Sequence, residues 1–255
     1  MTEGAFWLYP VLFLTALFAG TADTIAGGGG LITIPVLMGL GWSPQDALGT
    51  NKFQASFGSG SATLHFWKAG AVRLKECLWG VLFTAIGAAA GAWAVSQVPA
   101  DFLKRLIPFL LVAMAFYVLI SPRLGHEETR ARMKPFLFYL TFGLGIGFYD
   151  GFFGPGTGSF WALAFVLFLG FELRRATATT KVMNFTSNIL SLAVFLLMGN
   201  VHFVPGLVMA GGQFLGGRIG AKLVMTRGAR LVRPVFITVV FAIAAKLLWS
   251  AYAGG

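Results

Sequence analysis

The stretches ADTIAGGGG (residues 22–30) and YDGFFGPGTGS (residues 149–159) each place an aspartate beside glycines that interrupt an apolar segment. These aspartates, Asp23 and Asp150, are the only two of the nine acidic residues that lie inside long apolar stretches. They stand 127 positions apart. A charge beside a helix break, present twice in an apolar chain, indicates a membrane transport site built from two halves.

Composition places the chain in a membrane. Of its 255 residues, 57% are hydrophobic and 11% are charged, whereas soluble domains carry about 25% charged residues. The net charge of +10 would suggest nucleic acid in a soluble protein. Here the basic residues mostly separate hydrophobic segments, so no nucleic-acid partner is expected. The single Cys77 excludes internal disulfides and a cysteine-based metal site. We expect no removable signal peptide, no metal and no cofactor.

Charge and turn clusters divide the chain into ten apolar segments. The first five are 5–22, 31–41, 47–67, 77–97 and 103–120, and after a polar linker at 121–134 the others are 135–150, 158–170, 176–198, 203–225 and 234–252. Crossing the hydrocarbon core takes about 20 helical residues. Segments 31–41 and 158–170 are shorter, so they predict short-helix hairpins that either tilt or re-enter. We predict an all-α integral membrane protein with repeats at 1–120 and 135–255.

The two halves align with each other. ALGTNK at 47–52 matches ATATTK at 176–181 at an offset of 129, which also relates Gly87 and Gly91 to Gly216 and Gly220. We interpret these four glycines as close-packing surfaces between helices.

Basic residues predict the orientation of the halves. Loops 68–76, 121–134, 171–175 and 226–233 carry 12 of the 19 Lys and Arg residues, whereas 42–46 and 199–204 carry none. The positive-inside rule makes the first group cytoplasmic. Equivalent loops then lie on opposite sides, which predicts inverted-topology repeats of five segments each and periplasmic termini. A same-orientation duplication is the alternative, and the loop charges oppose it.

Charges inside the predicted segments are the first candidates for the site. Lys52 and Lys181 are equivalent in the two halves, as are Asp23 and Asp150, so they form a predicted quartet of two acids and two bases. A charge at the bilayer centre costs about 3 kcal/mol or more, unless it pairs or faces water. The acids either hold the lysines or carry a coupled proton. Arg218, within a predicted helix, is a candidate gate or anion contact.

Polar side chains follow each lysine along one helical face. They are Ser56, Ser59 and Thr63 after Lys52, and Asn184, Asn188 and Ser191 after Lys181. Two such stripes would line a hydrated path, or they would bond one helix to another.

The glycine breaks are a second candidate for anion binding. Backbone N–H groups at a helix N-terminus carry partial positive charge and bind oxyanions, and glycine lets a substrate approach the backbone closely. Tight packing at a hairpin tip is the alternative. Neither break is a P-loop, because no Gly-Lys-Ser/Thr follows.

ADTIAGGGGLITIP at 22–35, followed by LGTNKFQ at 48–54, resembles the sulfite exporter TauE/SafE family. GFYDGFFGPGTGS at 147–159, with Thr180 and Lys181, carries the same resemblance, which covers nearly the whole chain. The resemblance implies movement of sulfur-containing anions such as sulfite or sulfonates across the cytoplasmic membrane, outward in some members and inward in others.

We therefore predict a secondary transporter for a small sulfur oxyanion in the cell inner membrane. The lysines supply countercharge, Asp23 and Asp150 pair with them or carry protons, and backbone and polar groups bind the oxygens. The predicted substrate-binding residues are Gly28, Gly29, Gly30, Asn51, Lys52, Gln54, Gly156, Thr157, Ser159, Thr180, Lys181 and Asn184.

Other functions remain open at this point. A passive anion channel, or a transporter of another organic anion, would use the same lined path, and a scaffold or lipid-binding role would show no response to anions. An intramembrane protease using Ser159 and His202 is disfavoured because no Gly-x-Ser-x-Gly occurs, and no enzyme is expected. The expected partners are a small anionic substrate and membrane lipid; a homo-oligomer is left open.

Overall fold

The computed structural model describes residues 7–120 and 130–227, which form α-helices and connecting turns without β-strands. In chain order the helices are α1 (Leu8–Ala26), α2 (Gly30–Gly39), α3 (Pro44–Lys68), α4 (Leu78–Ser96), α5 (Ala100–Ile120), α6 (Pro135–Phe138), α7 (Leu144–Phe152), α8 (Thr157–Leu169), α9 (Leu173–Leu197) and α10 (Phe203–Arg227). A 3₁₀ turn at Leu74–Cys77 precedes α4, and a π turn at Tyr139–Gly143 joins α6 to α7. The predicted segment 234–252 lies outside the described residues.

The described helices belong to a multi-pass membrane protein. Within the described ranges, three helical stretches are long and apolar enough to cross a membrane: Leu8–Ala26, Leu74–Ser96 and Leu173–Leu197. Large apolar side chains such as Leu14, Trp93 and Phe102 lie on the outside. Polar ones such as Lys52 and Gln54 are buried. An apolar exterior around a polar interior is the arrangement expected when the solvent is lipid.

The glycine breaks begin later than the sequence predicted. Helix α1 continues to Ala26 instead of ending at residue 22, so Asp23 lies in its last turn. Gly27 ends the helix with φ of 77°, and its N–H donates to the Asp23 carbonyl at 2.7 Å, an arrangement that glycine adopts without steric cost. Helix α7 likewise runs to Phe152 and includes Asp150.

Small residues bring the helices of the two halves together. A Cβ at Gly216 on α10 would overlap the Leu17 carbonyl of α1, and a Cβ at Gly87 on α4 would overlap the Leu144 carbonyl of α7. Leu17 and Leu144 are 127 positions apart, the same offset as the two aspartates. The glycines pack closely against backbone, which confirms the interpretation of these positions.

At the centre, α3 packs against α9. Asn188 Nδ2 donates to Ser59 Oγ at 3.3 Å, so the two polar stripes meet. Beside this contact the two glycine breaks meet: a Cβ at Gly27 would overlap the backbone of Gly158. The two aspartates and the two lysines lie around this junction.

Candidate functional site

Two buried ion pairs cross between the halves of the chain. Lys52 Nζ lies 2.6 Å from Asp150 Oδ1, with side chains 1% and 5% exposed. Lys181 Nζ lies 2.8 Å from Asp23 Oδ2, with side chains 1% and 25% exposed. The predicted quartet therefore forms, and each lysine pairs with the acid of the other half.

Helix ends explain why each lysine binds there. Lys52 Nζ also donates to the Asp150 carbonyl at 2.5 Å, and Lys181 Nζ to the Asp23 carbonyl at 2.7 Å. The last carbonyls of a helix carry partial negative charge and accept from groups outside it. The Asp23 carbonyl accepts from both the Gly27 N–H and Lys181. Each break therefore offers an ammonium group both a carboxylate and a carbonyl.

The second oxygen of each carboxylate is also bonded. The Gly29 N–H donates to Asp23 Oδ1 at 3.0 Å, and the Ser187 hydroxyl donates to Asp150 Oδ2. Glycine is needed at Gly154, because a Cβ there would lie 3.0 Å from both Asp150 Oδ1 and Lys52 Nζ. Ser187 was not among the predicted residues, although it lies three positions beyond Asn184 on α9.

A narrow polar cleft lies between the glycine breaks and the two central helices. Of the predicted site residues, those that line it are Asp23, Gly29, Gly30, Asn51, Lys52, Asp150, Thr157 and Asn184. The cleft also contains residues outside the predicted set, namely Gly27, Ala55, Gly154, Gly158, Asn188 and Gln213.

Several predicted residues do not line the cleft but form hydrogen bonds or ion pairs with groups around it. Gln54 Nε2 donates to Asn51 Oδ1 at 3.2 Å, and Lys181 holds Asp23. Ser159 Oγ donates to the Ala26 carbonyl at 2.5 Å and ties the two breaks together.

The remaining predicted residues lie elsewhere. The Gly28 carbonyl accepts from Leu31 N–H at 3.0 Å. Gly156, with φ of 83°, precedes α8, and Thr180 is buried. Arg218 lies on an exposed face of α10 and does not line the cleft. We therefore do not retain it in the site.

Hydrogen bonds fix the orientation of Asn51 at the cleft wall. Its Oδ1 accepts from Thr33 Oγ1 at 2.6 Å and from Gln54 Nε2. With the oxygen occupied on both sides, the NH₂ group is the part of Asn51 that remains for a ligand. Thr33 was missed from the sequence because a lone threonine in a short apolar helix gives no distinctive pattern.

The cleft is lined by ammonium and amide donors together with two carboxylates. Across 7–120 and 130–227, no group of three or more His, Cys, Asp or Glu side chains is placed to hold a metal ion. Buried charges around a polar cleft, inside a helical protein with an apolar exterior, define the class of integral-membrane transporters.

A comparison with family models identifies the transporter family to which the chain belongs. Residues 12–247 match the family model described as Sulfite exporter TauE/SafE, and the chain belongs to this family. The resemblance drawn from the sequence motifs is thereby confirmed.

Relatives match over almost their full lengths. The chain is 48% identical over 248 residues to probable membrane transporter protein ORF9 of Sinorhizobium sp., covering 97% of this chain and 95% of that protein. It is 47% identical over 245 residues to probable membrane transporter protein YfcA of Escherichia coli K12, with 96% and 91% coverage. A more distant relative, YunE of Bacillus subtilis, is 22% identical over 267 residues, with 95% and 98% coverage. No solved structure matches the chain. The family and these names describe membrane transporters and not enzymes.

Proposed function

We propose that this protein is a secondary transporter that moves a small sulfur-containing oxyanion, of the sulfite or sulfonate class, across the cytoplasmic membrane by proton-coupled alternating access. The observation that carries the proposal is the crossing of the two ion pairs, Lys52 with Asp150 and Lys181 with Asp23, at one polar cleft. No cofactor is needed for this function.

The charge balance of the site couples binding of the anion to binding of a proton. The four charges of the quartet cancel, so a bound anion alone would leave a net negative charge in a low-dielectric interior, which is costly. Protonation of one aspartate releases its lysine from the carboxylate and offsets the anion. Asp23 is 25% exposed and Asp150 is 5% exposed, so we assign the proton-accepting role first to Asp23.

Helix N-termini and amide groups supply the contacts to the oxygens. Gly30 begins α2, Thr157 begins α8, and both line the cleft. The first-turn N–H groups of Leu31, Ile32, Thr157 and Ser159 already donate to carbonyls of the breaks. The N–H groups of Gly30 and Gly158, which also line the cleft, are the ones that remain to favour an anion. Asn51 and Asn184 add side-chain amides from the two central helices. This donor set suits an oxyanion.

Packing between the halves supports two inverted repeats of five segments, at 1–120 and 135–255, joined by a cytoplasmic linker at 121–134. Helix α1 packs along α10, and its counterpart α7 packs along α4. The ion pairs join the same two halves, so rocking of one repeat against the other would remodel them. In this arrangement the termini are periplasmic.

Two ion pairs that share one repeat-equivalent position lie at opposite ends of α3. At one end, His202 Nε2 lies 3.6 Å from Asp46 Oδ2, and Asn200 Nδ2 donates to Asp46 Oδ1 at 3.0 Å. At the other end, Arg175 pairs with Glu76 at 3.0 Å. Asp46 and Arg175 are 129 positions apart, the offset of the repeats. We assign these two contacts as the outer and inner closures of the transport path.

Anion binding tests the proposed function. Wild type should show a higher melting temperature with sulfite or methanesulfonate, because ligands that bind the folded state stabilise it. Lys181→Met should lose at least about tenfold in affinity, a change of about 1.4 kcal/mol. It should remain folded, because Asp23 is partly solvated and keeps its bond from Gly29. Thermal shift and calorimetry on the purified protein measure both quantities.

The control for this experiment is Lys222→Met, which removes an exposed lysine on α10 and should bind as wild type does. A wild type that responds to none of these anions would refute the proposal, as would unchanged binding by Lys181→Met. Flux that neither saturates nor responds to a proton gradient would favour a passive anion channel.

Cross-linking tests alternating access. In a Cys77→Ala background, a short bifunctional thiol reagent with a cleavable disulfide should join cysteines at positions 46 and 202 and stop transport, and reduction of the reagent should restore it. Cysteines at positions 101 and 104, an exposed pair within α5, provide the matched control, and their cross-link should leave transport unchanged. Flux into proteoliposomes is the measurement. Full transport by the completely cross-linked 46–202 protein would contradict the assignment of this contact as a closure.

A further inference from the structure

Gln213 brings a polar side chain into the cleft from α10. It is 3% exposed and lines the cleft together with Lys52 and Asn184. Within the described part of the chain its amide makes no hydrogen bond to another protein group. A buried amide normally has a partner, because an unmade hydrogen bond in the interior is costly. We therefore expect the hydrogen-bond partner of the Gln213 amide to be a ligand in the cleft.

Two glycines give this side chain its position. A Cβ at Gly20 on α1 would lie 2.6 Å from Gln213 Oε1, and a Cβ at Gly58 on α3 would also overlap that atom. The oxygen end of the amide therefore packs against Gly20 of α1 and Gly58 of α3. The NH₂ group is the end that remains for a ligand in the cleft.

The other half of the chain lacks this feature. The position equivalent to Gln213, at the offset of 129, is Thr84 on α4. Thr84 is buried, its hydroxyl donates to Met183 Sδ at 3.5 Å, and it does not line the cleft. Each half of the chain contributes one aspartate, one lysine and one glycine break to the site. The amide on α10 has no counterpart at the equivalent position of α4. The cleft is therefore asymmetric at this position.

Four side-chain amides line the cleft, and Asn188 uses its NH₂ group to bond Ser59. The other three come from three helices: Asn51 on α3, Asn184 on α9 and Gln213 on α10. A sulfite or sulfonate head has three oxygens arranged as a pyramid, whereas a carboxylate has two in a plane. We propose that Gln213 is the specificity-determining residue that donates to the third oxygen and so favours an –SO₃ head over a carboxylate. This inference rests on the proposed function and deepens it.

Methanesulfonate and acetate test the inference, since both are monoanions with one methyl group and differ in the head group. Isothermal titration of the purified protein gives the two affinities. Gln213→Met keeps a side chain of similar length between the glycines but has no N–H. It should weaken methanesulfonate binding about tenfold, as expected for one lost hydrogen bond at a buried site, and acetate binding less than about twofold. Gln213→Thr, which copies the residue of the other half, should do the same.

Thr84→Ala is the matched control, because it alters the equivalent buried position outside the cleft, and both affinities should stay unchanged. Equal losses for the two anions in Gln213→Met, or no loss for either, would overturn the role of Gln213 and leave the proposed function standing. A wild type that binds neither methanesulfonate, sulfite nor acetate would overturn both. Melting temperatures of the two Gln213 variants within a few degrees of wild type verify that a lost affinity is not a lost fold.

Discussion

Lys52→Met is expected to destabilise the folded protein by about 3–5 kcal/mol and to abolish transport. The substitution leaves Asp150 charged in a site where its side chain is 5% exposed. The remaining bond from Ser187 does not supply a countercharge. Unfolding in detergent, followed by helical circular dichroism, measures the stability, and anion flux into proteoliposomes measures the function.

The double variant Lys52→Met with Asp150→Asn separates the two effects. Removing both charges removes the uncompensated one, so most of the stability should return, as happens when buried ion pairs are replaced together. Transport should stay absent, because neither countercharge nor proton acceptor remains on that side of the cleft. Recovery of flux in the double variant, or a wild-type stability in Lys52→Met, would contradict this assignment.

An exposed pair provides the control. Asp101 and Lys104 on α5 lie 3.2 Å apart with both side chains largely exposed. Lys104→Met should change stability by no more than about 1 kcal/mol, since surface ion pairs contribute little, and transport should continue.

Gly27→Ala should be strongly damaging, because Gly27 combines a left-handed backbone with a close backbone contact. Gly27 has φ of 77°, and a Cβ there would overlap the backbone of Gly158 in the opposite break. The left-handed conformation alone costs a non-glycine residue about 1–2 kcal/mol, and the collision would separate the two breaks. We expect loss of anion binding together with a lowered melting temperature.

Gly41→Ala isolates the conformational part of that effect. Gly41 has φ of 85°, close to that of Gly27, but no atom lies within 4 Å of a Cβ placed there. Gly41→Ala should lower the stability only by the free-energy cost of the left-handed backbone conformation, and it should leave anion binding unchanged. If Gly27→Ala behaves no worse than Gly41→Ala, the close approach of the two breaks is not essential.

The charged residues of the site were predictable, but their pairing was not. Asp23, Lys52, Asp150 and Lys181 stand out because ionisable groups in apolar segments are costly, and this cost is visible in a sequence. Which acid meets which base depends on how the halves cross. The paired residues are 98 and 158 positions apart, and no local pattern reports such a distance.

Other outcomes differ for equally physical reasons. Helix α1 was predicted to end before Asp23, because a charge beside glycines resembles a loop, whereas the left-handed Gly27 lets the helix include it. Gln213 was missed because it has no polar neighbours at helical spacing, and its importance comes from Gly20 and Gly58 on other helices. Arg218 was selected as a charge within a predicted helix, and its side chain is exposed.

The crossed pairing also constrains how the protein is inserted into the membrane during synthesis. Lys52 emerges from the ribosome 98 residues before Asp150, and Asp23 emerges 158 residues before Lys181. Until then the nascent first half carries two charges without partners, and such helices are poorly retained in lipid. Helices α1 and α3 must therefore be sheltered, by the insertion machinery or by each other, until α7 and α9 arrive. Neither half should mature alone, and co-expressed halves should rescue one another.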